Sequence, residues 1–271
     1  MPALRLIHRT AIIDPKARID SDVVIGPYAL IEGPVEISSG TEIQGRAVIV
    51  GSVQIGKNNR IGHGTVIGSF PQDLSFNPTA NSGVKIGENN VIHEFCTIHR
   101  GTKEGSNTFV GSNNLLMAGA HLGHNTRLGN NITLENNVLL GGYAEIDDQA
   151  LLGSGSVVHQ FTRVGAISLL HGVSAISKDI PPFSTASGKN SVSTINVSGL
   201  ARAGFGSALR NEVKEAFALL YRKGLNLAQA LEEVKKRSWS KEVSLFWDFV
   251  ETSKRGICPV VRWKEVRDFE E

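Results

Sequence analysis

Residues 121–125 read HLGHN, so two of the chain's eight histidines, His121 and His124, stand three apart. Three kinds of chemistry fit such a pair. Imidazoles hold zinc when at least three donors converge with partners behind them. An imidazole also titrates near neutrality, so it can take a proton from a hydroxyl as a general base. A polar ring at a solvated bend needs no function at all. Spacing alone leaves all three open, and the elements that carry the rings have to be placed first.

The chain repeats in sixes. From Ala11 the blocks AIIDPK, ARIDSD, VVIGPY, ALIEGP, VEISSG, TEIQGR, AVIVGS, VQIGKN, NRIGHG and TVIGSF carry isoleucine third in every case, from Ile13 to Ile67. Neither a helix nor an ordinary strand produces a strict six. The period predicts a mainly β fold, a left-handed parallel β-helix of hexapeptide repeats. Each hexad gives one short flat strand and one corner, and three hexads close a coil of 18 residues around stacked aliphatics. Turn formers and prolines interrupt the ladder at SFPQDLSFNPTANSG, 69–83. It resumes one residue out of phase at Ile86, Ile92 and Ile98, pauses again at KEGSNT (103–108), and runs from Val110 to Ile176. IPPF (180–183) is expected to end it, because Pro181 and Pro182 cannot continue the pattern. Past Ser207 the apolar spacing turns helical, with amphipathic segments at 207–224, 226–237 and 241–256. The expected organisation is a β-helix over 1–190, with loops near 69–83 and 103–108, then a connecting segment and a C-terminal α-helical domain over 191–271. The tail from Ile257 has no clear pattern.

Composition agrees with a thin-cored repetitive fold: 41% hydrophobic residues, only 6% aromatics and 29 glycines. A net charge of +2 does not call for nucleic acid. No apolar run is long enough for a transmembrane segment, and the N-terminus lacks the apolar stretch of a signal peptide. Cys96 and Cys258 show no metal or redox spacing and read as reduced thiols of a cytoplasmic protein.

Register then places the chemistry. Positions 18 apart stack, so His124 lies under Gly142 and Gly142 under Gln160. Gly123, Gly141 and His159 form a second column, and Asn125, Tyr143 and Phe161 a third. With 103–108 excised, Ile98 falls beneath Leu122 and His99 one coil below Gly123. His99, His124 and His159 therefore converge on one edge, with His121 on the adjoining strand. HxxH at such a corner sends its two rings different ways, and no cysteine or carboxylate stands close in sequence, so the expectation is no metal and no cofactor. Gly142 has no side chain to block its backbone N–H. A base at His124 beside that N–H is the minimal equipment for moving an acyl group from a thioester to an alcohol. No serine or cysteine is placed as a nucleophile, which favours direct transfer.

The hexads, IHRGT (98–102), NLLMAGAHLGHN (114–125), VVHQF (157–161), DIPPF (179–183) and NVSGLARAGF (196–205) follow one another as they do in UDP-N-acetylglucosamine acyltransferases, and the chain resembles that family over nearly its whole length. The resemblance implies a homotrimer with sites between subunits. It implies transfer of a (3R)-3-hydroxyacyl group from acyl carrier protein to the 3-position of the UDP-sugar, the first step of lipid A synthesis. His124 matches the family's base and Gly142 its oxyanion donor. His99, His121, His159 and Gln160 match substrate-pocket positions, and Tyr143 stands in that pocket where a histidine is usual. Asp73 matches a sugar contact, and Asn196 and Arg202 match nucleotide contacts. Gly172, with Leu169 beside it, falls where the family closes the acyl groove, and so small a residue implies a longer chain. Arg210, Lys214, Arg222 and Lys223 offer basic groups to an acidic carrier, or simply a solvated helix face. The chain also departs from the pattern: Asn125 replaces an aspartate, Ser75 a lysine, Ser198 a glutamate and Ala203 an arginine. Alternatives that stay open are a 3-amino sugar acceptor, the related UDP-3-O-acylglucosamine N-acyltransferase, a zinc β-helix hydratase of the carbonic anhydrase type, and a non-catalytic scaffold.

Overall fold

A computed structural model describes residues 6–260. Strands of two to five residues form three sheets of nine, eight and ten strands, and successive strands visit the three in rotation. The first sheet runs from Ile12–Ile13 to Ala175–Ile176. The second runs from Arg18–Ile19 to Arg163–Val164. The third starts at Val24–Ile25 and ends with the antiparallel pair Ser184–Ser187 and Ser191–Ile195. All other pairings are parallel, and the whole is a left-handed parallel β-helix with a small helical region at its C-terminal end.

The repeat forms this shape because one residue per hexad is aliphatic and points inward. Ile31, Ile49, Ile67, Ile98, Leu122, Leu140 and Val158 make one buried column of the first sheet. Each such side chain contributes about 1.5–3 kcal/mol by leaving water. Small residues before each strand fill the corner: Ala47, Thr65, Cys96 and Ala120 are all fully buried. Cys96 is thus a core residue, and burial pushes its thiol up to about 11. The corners turn through left-handed backbone. Asparagine tolerates that conformation, and Asn113, Asn125, Asn131 and Asn137 adopt it.

The ladder does not stop at the prolines. Ile180 pairs with Val164, and Ala186 pairs with Leu170. Each pair is 16 residues apart, two short of a coil. Pro181 and Pro182 fall in the corner between them, where no ladder donor is required, so the last coil tightens rather than ends. The strands beside the two excursions are longer than two residues: Val66–Ser69, Gly83–Ile86 and Asn107–Val110.

Four helices follow among the described residues: α1 (Val197–Arg202), α2 (Ser207–Tyr221), α3 (Leu227–Val234) and α4 (Lys241–Glu251). The last three lie within the segments expected from spacing. The one-turn-and-a-half α1 has no amphipathic period long enough to read in the sequence. Its start is fixed by Asn196, whose side chain accepts from the Gly199 N–H. Val243, Phe246, Trp247, Phe249 and Val250 bury one face of α4. Its far end meets the second sheet, with the Arg163 guanidinium 4.0 Å from the Phe249 ring centre. No helix among the described residues is long and apolar enough to cross a membrane. The sequence beyond 260, including most of the unpatterned tail, lies outside the described residues.

Candidate active site

Strand pairing brings Thr97, His121, Leu139, Val157 and Ala175 into one outward column of the first sheet. The corner that follows, leading into the second sheet, carries His124, Gly142 and Gln160 in the next. Ile98 pairs with Leu122, as the excised register requires. A Cβ built on Gly142 would stand 2.5 Å from His124 Nε2 and 3.0 Å from Nδ1. The imidazole therefore lies flat against the Gly142 α-carbon, and only glycine leaves it room. Among the described residues the Gly142 N–H has no hydrogen-bond partner.

The orientation of His124 follows from a chain of bonds that begins at Thr102, just before the second excursion. The Thr102 N–H can only donate, and it points at Asn125 Oδ1 at 3.0 Å. That fixes the Asn125 amide with its oxygen inward. The same oxygen lies 3.1 Å from His124 Nδ1, so Nδ1 must carry the proton and Nε2 the lone pair. Thr102 Oγ1 also donates to Asn125 Oδ1, at 3.0 Å, and so accepts from the Tyr143 hydroxyl at 3.1 Å. Asn125 is buried, and its own N–H donates to Thr108 Oγ1. Tyr143 meets the His124 ring edge-on, with centres 5.4 Å apart, and stacks on Phe161 at 4.9 Å. Tyr143 thus supports the His124 imidazole as part of its frame. Column reading gives Thr102 no partner, because register is lost where the ladder gives way to the second excursion.

The other two central histidines face each other. His99 and His121 ring centres are 5.2 Å apart. His99 is buried, and its Nδ1–H donates to the Phe70 carbonyl at 2.5 Å, so it anchors the start of the first excursion. His121 Nδ1 pairs with Thr97 Oγ1 at 2.7 Å. Burial, and then the neighbouring His99, hold the His121 imidazole below the usual range. It therefore faces the site as a neutral ring.

The first excursion folds back toward the same corner. Arg100 lies over Phe70 and Phe76, 4.6 Å and 5.4 Å from their ring centres, and clamps the loop. Asp73 sits in that loop. The Ser75 N–H, then the Ser75 hydroxyl, hold its carboxyl below the ordinary value, and His124 adds to that effect from across the gap. Ser75 is thus the residue that orients Asp73.

His159 and Gln160 are exposed two coils above His124. The remaining expected residues lie elsewhere on the prism. Asn196 is buried at the opposite edge of the second sheet, where its Nδ2 donates to the Ile167 carbonyl and its Oδ1 accepts from the Gly199 N–H. Both ends of its amide are used within the chain. Arg202 is exposed at the end of α1. Leu169 faces outward on the third sheet, and Gly172 is exposed at the corner after it. One chain therefore does not bring these four to His124. Among the described residues no three His, Cys, Asp or Glu side chains cluster as metal ligands do.

Residues 179–258 match the model of UDP-N-acetylglucosamine O-acyltransferase domain 2. An acyl-[acyl-carrier-protein]–UDP-N-acetylglucosamine O-acyltransferase from Thermodesulfovibrio yellowstonii is 41% identical over 257 residues, covering 93% of this chain and 98% of that protein. One from Herminiimonas arsenicoxydans is 40% identical, covering 94% and 99%. The crystal structure of UDP-N-acetylglucosamine acyltransferase from Bacteroides fragilis superposes with a TM-score of 0.88 at 39% identity, over 94% of this chain and all of that one. That from Francisella novicida gives 0.90 at 37%, over 96% and 95%. By sequence, length and fold, the chain belongs to the UDP-N-acetylglucosamine O-acyltransferase family.

Proposed function

We propose that the chain transfers a (3R)-3-hydroxyacyl group from acyl carrier protein to the 3-hydroxyl of UDP-N-acetylglucosamine, as the first step of lipid A synthesis, with His124 as general base. The observation that carries the assignment is the fixed tautomer of His124, which leaves Nε2 a free lone pair while the ring face lies against Gly142. Nε2 takes the proton of the sugar hydroxyl as its oxygen attacks the thioester carbonyl carbon. A C–O bond forms and the carbonyl oxygen gains the negative charge. The unpaired Gly142 N–H donates to that oxyanion. As the tetrahedral centre collapses, the C–S bond breaks, and the sulfur leaves with the proton that His124 holds. The carbonyl reforms and the base returns to its starting state. Asn125 contributes orientation without charge, since its amide oxygen holds Nδ1–H but adds no counter-charge to the imidazolium. The carboxylate of Asp73 is the acidic group that faces His124 from the loop.

The working unit is a ring of three copies. His124 lies at one edge of the second sheet and Asn196 at the other, so a site that uses both takes them from different chains. Edge-to-edge contact of this kind is heterologous, and it must close into a ring to avoid an open filament. Turning the second sheet inward would leave a groove between the first sheet of one copy and the third sheet of the next. Its walls would be Leu139 and Val157 on one side and Leu151 and Leu169 on the other, which suits an alkyl chain, with Gly172 at its end. Such an assembly is made for the cytoplasm, where acyl carrier protein is available. The test is turnover of UDP-N-acetylglucosamine with 3-hydroxyacyl carrier protein of graded chain length, read by mass spectrometry, against His124→Ala. Product from the parent alone is expected. Near-normal turnover by the variant would remove His124 from the role of base, and preference for a 3-amino sugar would replace the acceptor.

A further inference from the structure

The segment after α4 returns across the top of the β-helix to the His124 edge. Asp179 fastens it there: Ser253 Oγ donates to Asp179 Oδ2 at 2.7 Å, the Asp179 N–H donates to the Gly256 carbonyl, and the Cys258 N–H donates to the Asp179 carbonyl. Asp179 is itself fully buried, with its Oδ1 accepting from the Arg163 N–H. Between these ties, Arg255 reaches the edge. Its Nε donates to the Ser177 carbonyl at 3.0 Å, and its Nη2 lies 3.3 Å from His159 Nδ1. The two residues are 96 positions apart in sequence, and nothing in the hexad register connects them.

His159 Nδ1 has a second neighbour, the Gln160 carbonyl at 3.1 Å. One nitrogen cannot serve both. Carrying a proton, it would donate to the carbonyl and turn that N–H on a guanidinium that can only donate. Without the proton, it accepts from Arg255. A charge-assisted bond from a permanent cation outweighs a neutral one. We infer that Arg255 is a positioning residue that holds His159 in the tautomer with Nε2–H, so that the exposed ring offers a donor to an oxygen of the bound substrate. Remove the guanidinium and the ring turns its proton to the Gln160 carbonyl, leaving Nε2 a lone pair where a donor is needed. This inference rests on the acyltransferase reading for the identity of the substrate, though not for the tautomer. The oxygen is either on the UDP-sugar or on the acyl-pantetheine arm, and separate Michaelis constants distinguish them.

The experiment uses the full chain, 15N-labelled at histidine, as parent, Arg255→Met, Arg255→Lys and His159→Gln, the last to assign the ring. Long-range proton–nitrogen spectra of the parent should show His159 Nδ1 unprotonated and Nε2 protonated, and Arg255→Met should exchange them. Arg255→Lys, which keeps a cationic donor, should preserve the parent pattern. In turnover, Arg255→Met should raise one of the two KM values about tenfold, the size expected for one hydrogen bond to a substrate, with kcat within about threefold. With Gln at 159 the same change should have less than about a twofold effect. A protonated Nδ1 in the parent, an unchanged ring in Arg255→Met, or an equal KM penalty with and without His159 overturns the inference. A parent with the expected ring but no transferase activity would instead sink the acyltransferase reading.

Discussion

Gly142→Ala separates packing at His124 from stability of the fold. Gly142 does not lie in left-handed backbone, so alanine meets no conformational penalty there, and the change alone is worth less than about 1 kcal/mol to the fold. The new methyl is the difficulty. It would stand 2.5 Å from His124 Nε2, where ordinary contact begins at 3.4 Å, so the ring has to retreat by about 0.9 Å. It cannot go sideways, because Tyr143 abuts it and Asn125 holds Nδ1. Displacing a reacting group by about 1 Å costs roughly 10²-fold in rate, and a crowded oxyanion donor adds to that. The assay is steady-state acyl transfer beside thermal unfolding of the same preparation. We expect kcat to fall at least about 10²-fold with the unfolding midpoint within a few degrees. Adding His124→Ala to Gly142→Ala should cost less than the product of the two single effects, since both act through one ring. A Gly142→Ala enzyme within threefold of the parent would refute the reasoning, because the His124 ring would then have room that this geometry denies it.

Other perturbations reach different parts of the molecule. Asn125→Ala removes the acceptor that sets the His124 tautomer and should lower kcat by about 10²-fold or more with little change in KM, measured by initial rates at saturating substrates. Arg100→Met releases Phe70 and Phe76 and loosens the loop that carries Asp73; the KM for the UDP-sugar should rise about three- to tenfold, in line with a cation–π contact of roughly 1 kcal/mol, while His124-dependent kcat persists. Leu122→Ala empties part of the core beside the His124 corner and should cost about 2–5 kcal/mol in a urea titration. Asp147 lies beside Arg163 on the second sheet, and burial raises its carboxyl from 3.8 to about 6. A raised carboxylate pKa means that the folded chain binds the proton more tightly than the unfolded one, so stability is lost as pH climbs from about 4 through 6. Asp147→Asn should therefore stabilise the protein by about 1–3 kcal/mol at pH 7.5 and have little effect at pH 4, as read by thermal unfolding at the two pH values.

What the sequence discloses here follows from what a period can encode. A strict six fixes which residue points inward, and stacking by 18 then puts Gly142 over His124 without any coordinates. Ile98 under Leu122 is recovered as soon as the second excursion is cut out. Four features escape. The ladder's passage through Pro181 and Pro182 escapes because a coil of 16 breaks the count while keeping the hydrogen bonds. Helix α1 escapes because six residues carry no period. Thr102 and Arg255 escape because each arrives at the corner from a loop or from the far end of the chain, where register has no meaning.

The substitution of Asn125 for aspartate looks, in sequence, like the loss of half of a catalytic pair. The bonds around it argue otherwise. An aspartate would hold Nδ1–H and also stabilise the imidazolium by its charge. Asn125 keeps the first of these functions, and the Thr102 N–H guarantees that its oxygen rather than its nitrogen faces His124. The charge is what has gone, and Tyr143 in place of a second histidine removes a competing cation from the same corner. The two departures therefore fit one another: with no carboxylate on Nδ1, the His124 ring sits beside a neutral phenol and not beside another titrating ring. Asn125→Asp and Tyr143→His are accordingly expected to be coupled, each harmful or neutral alone and less harmful together, and a double-mutant cycle in kcat that proved additive would separate them again.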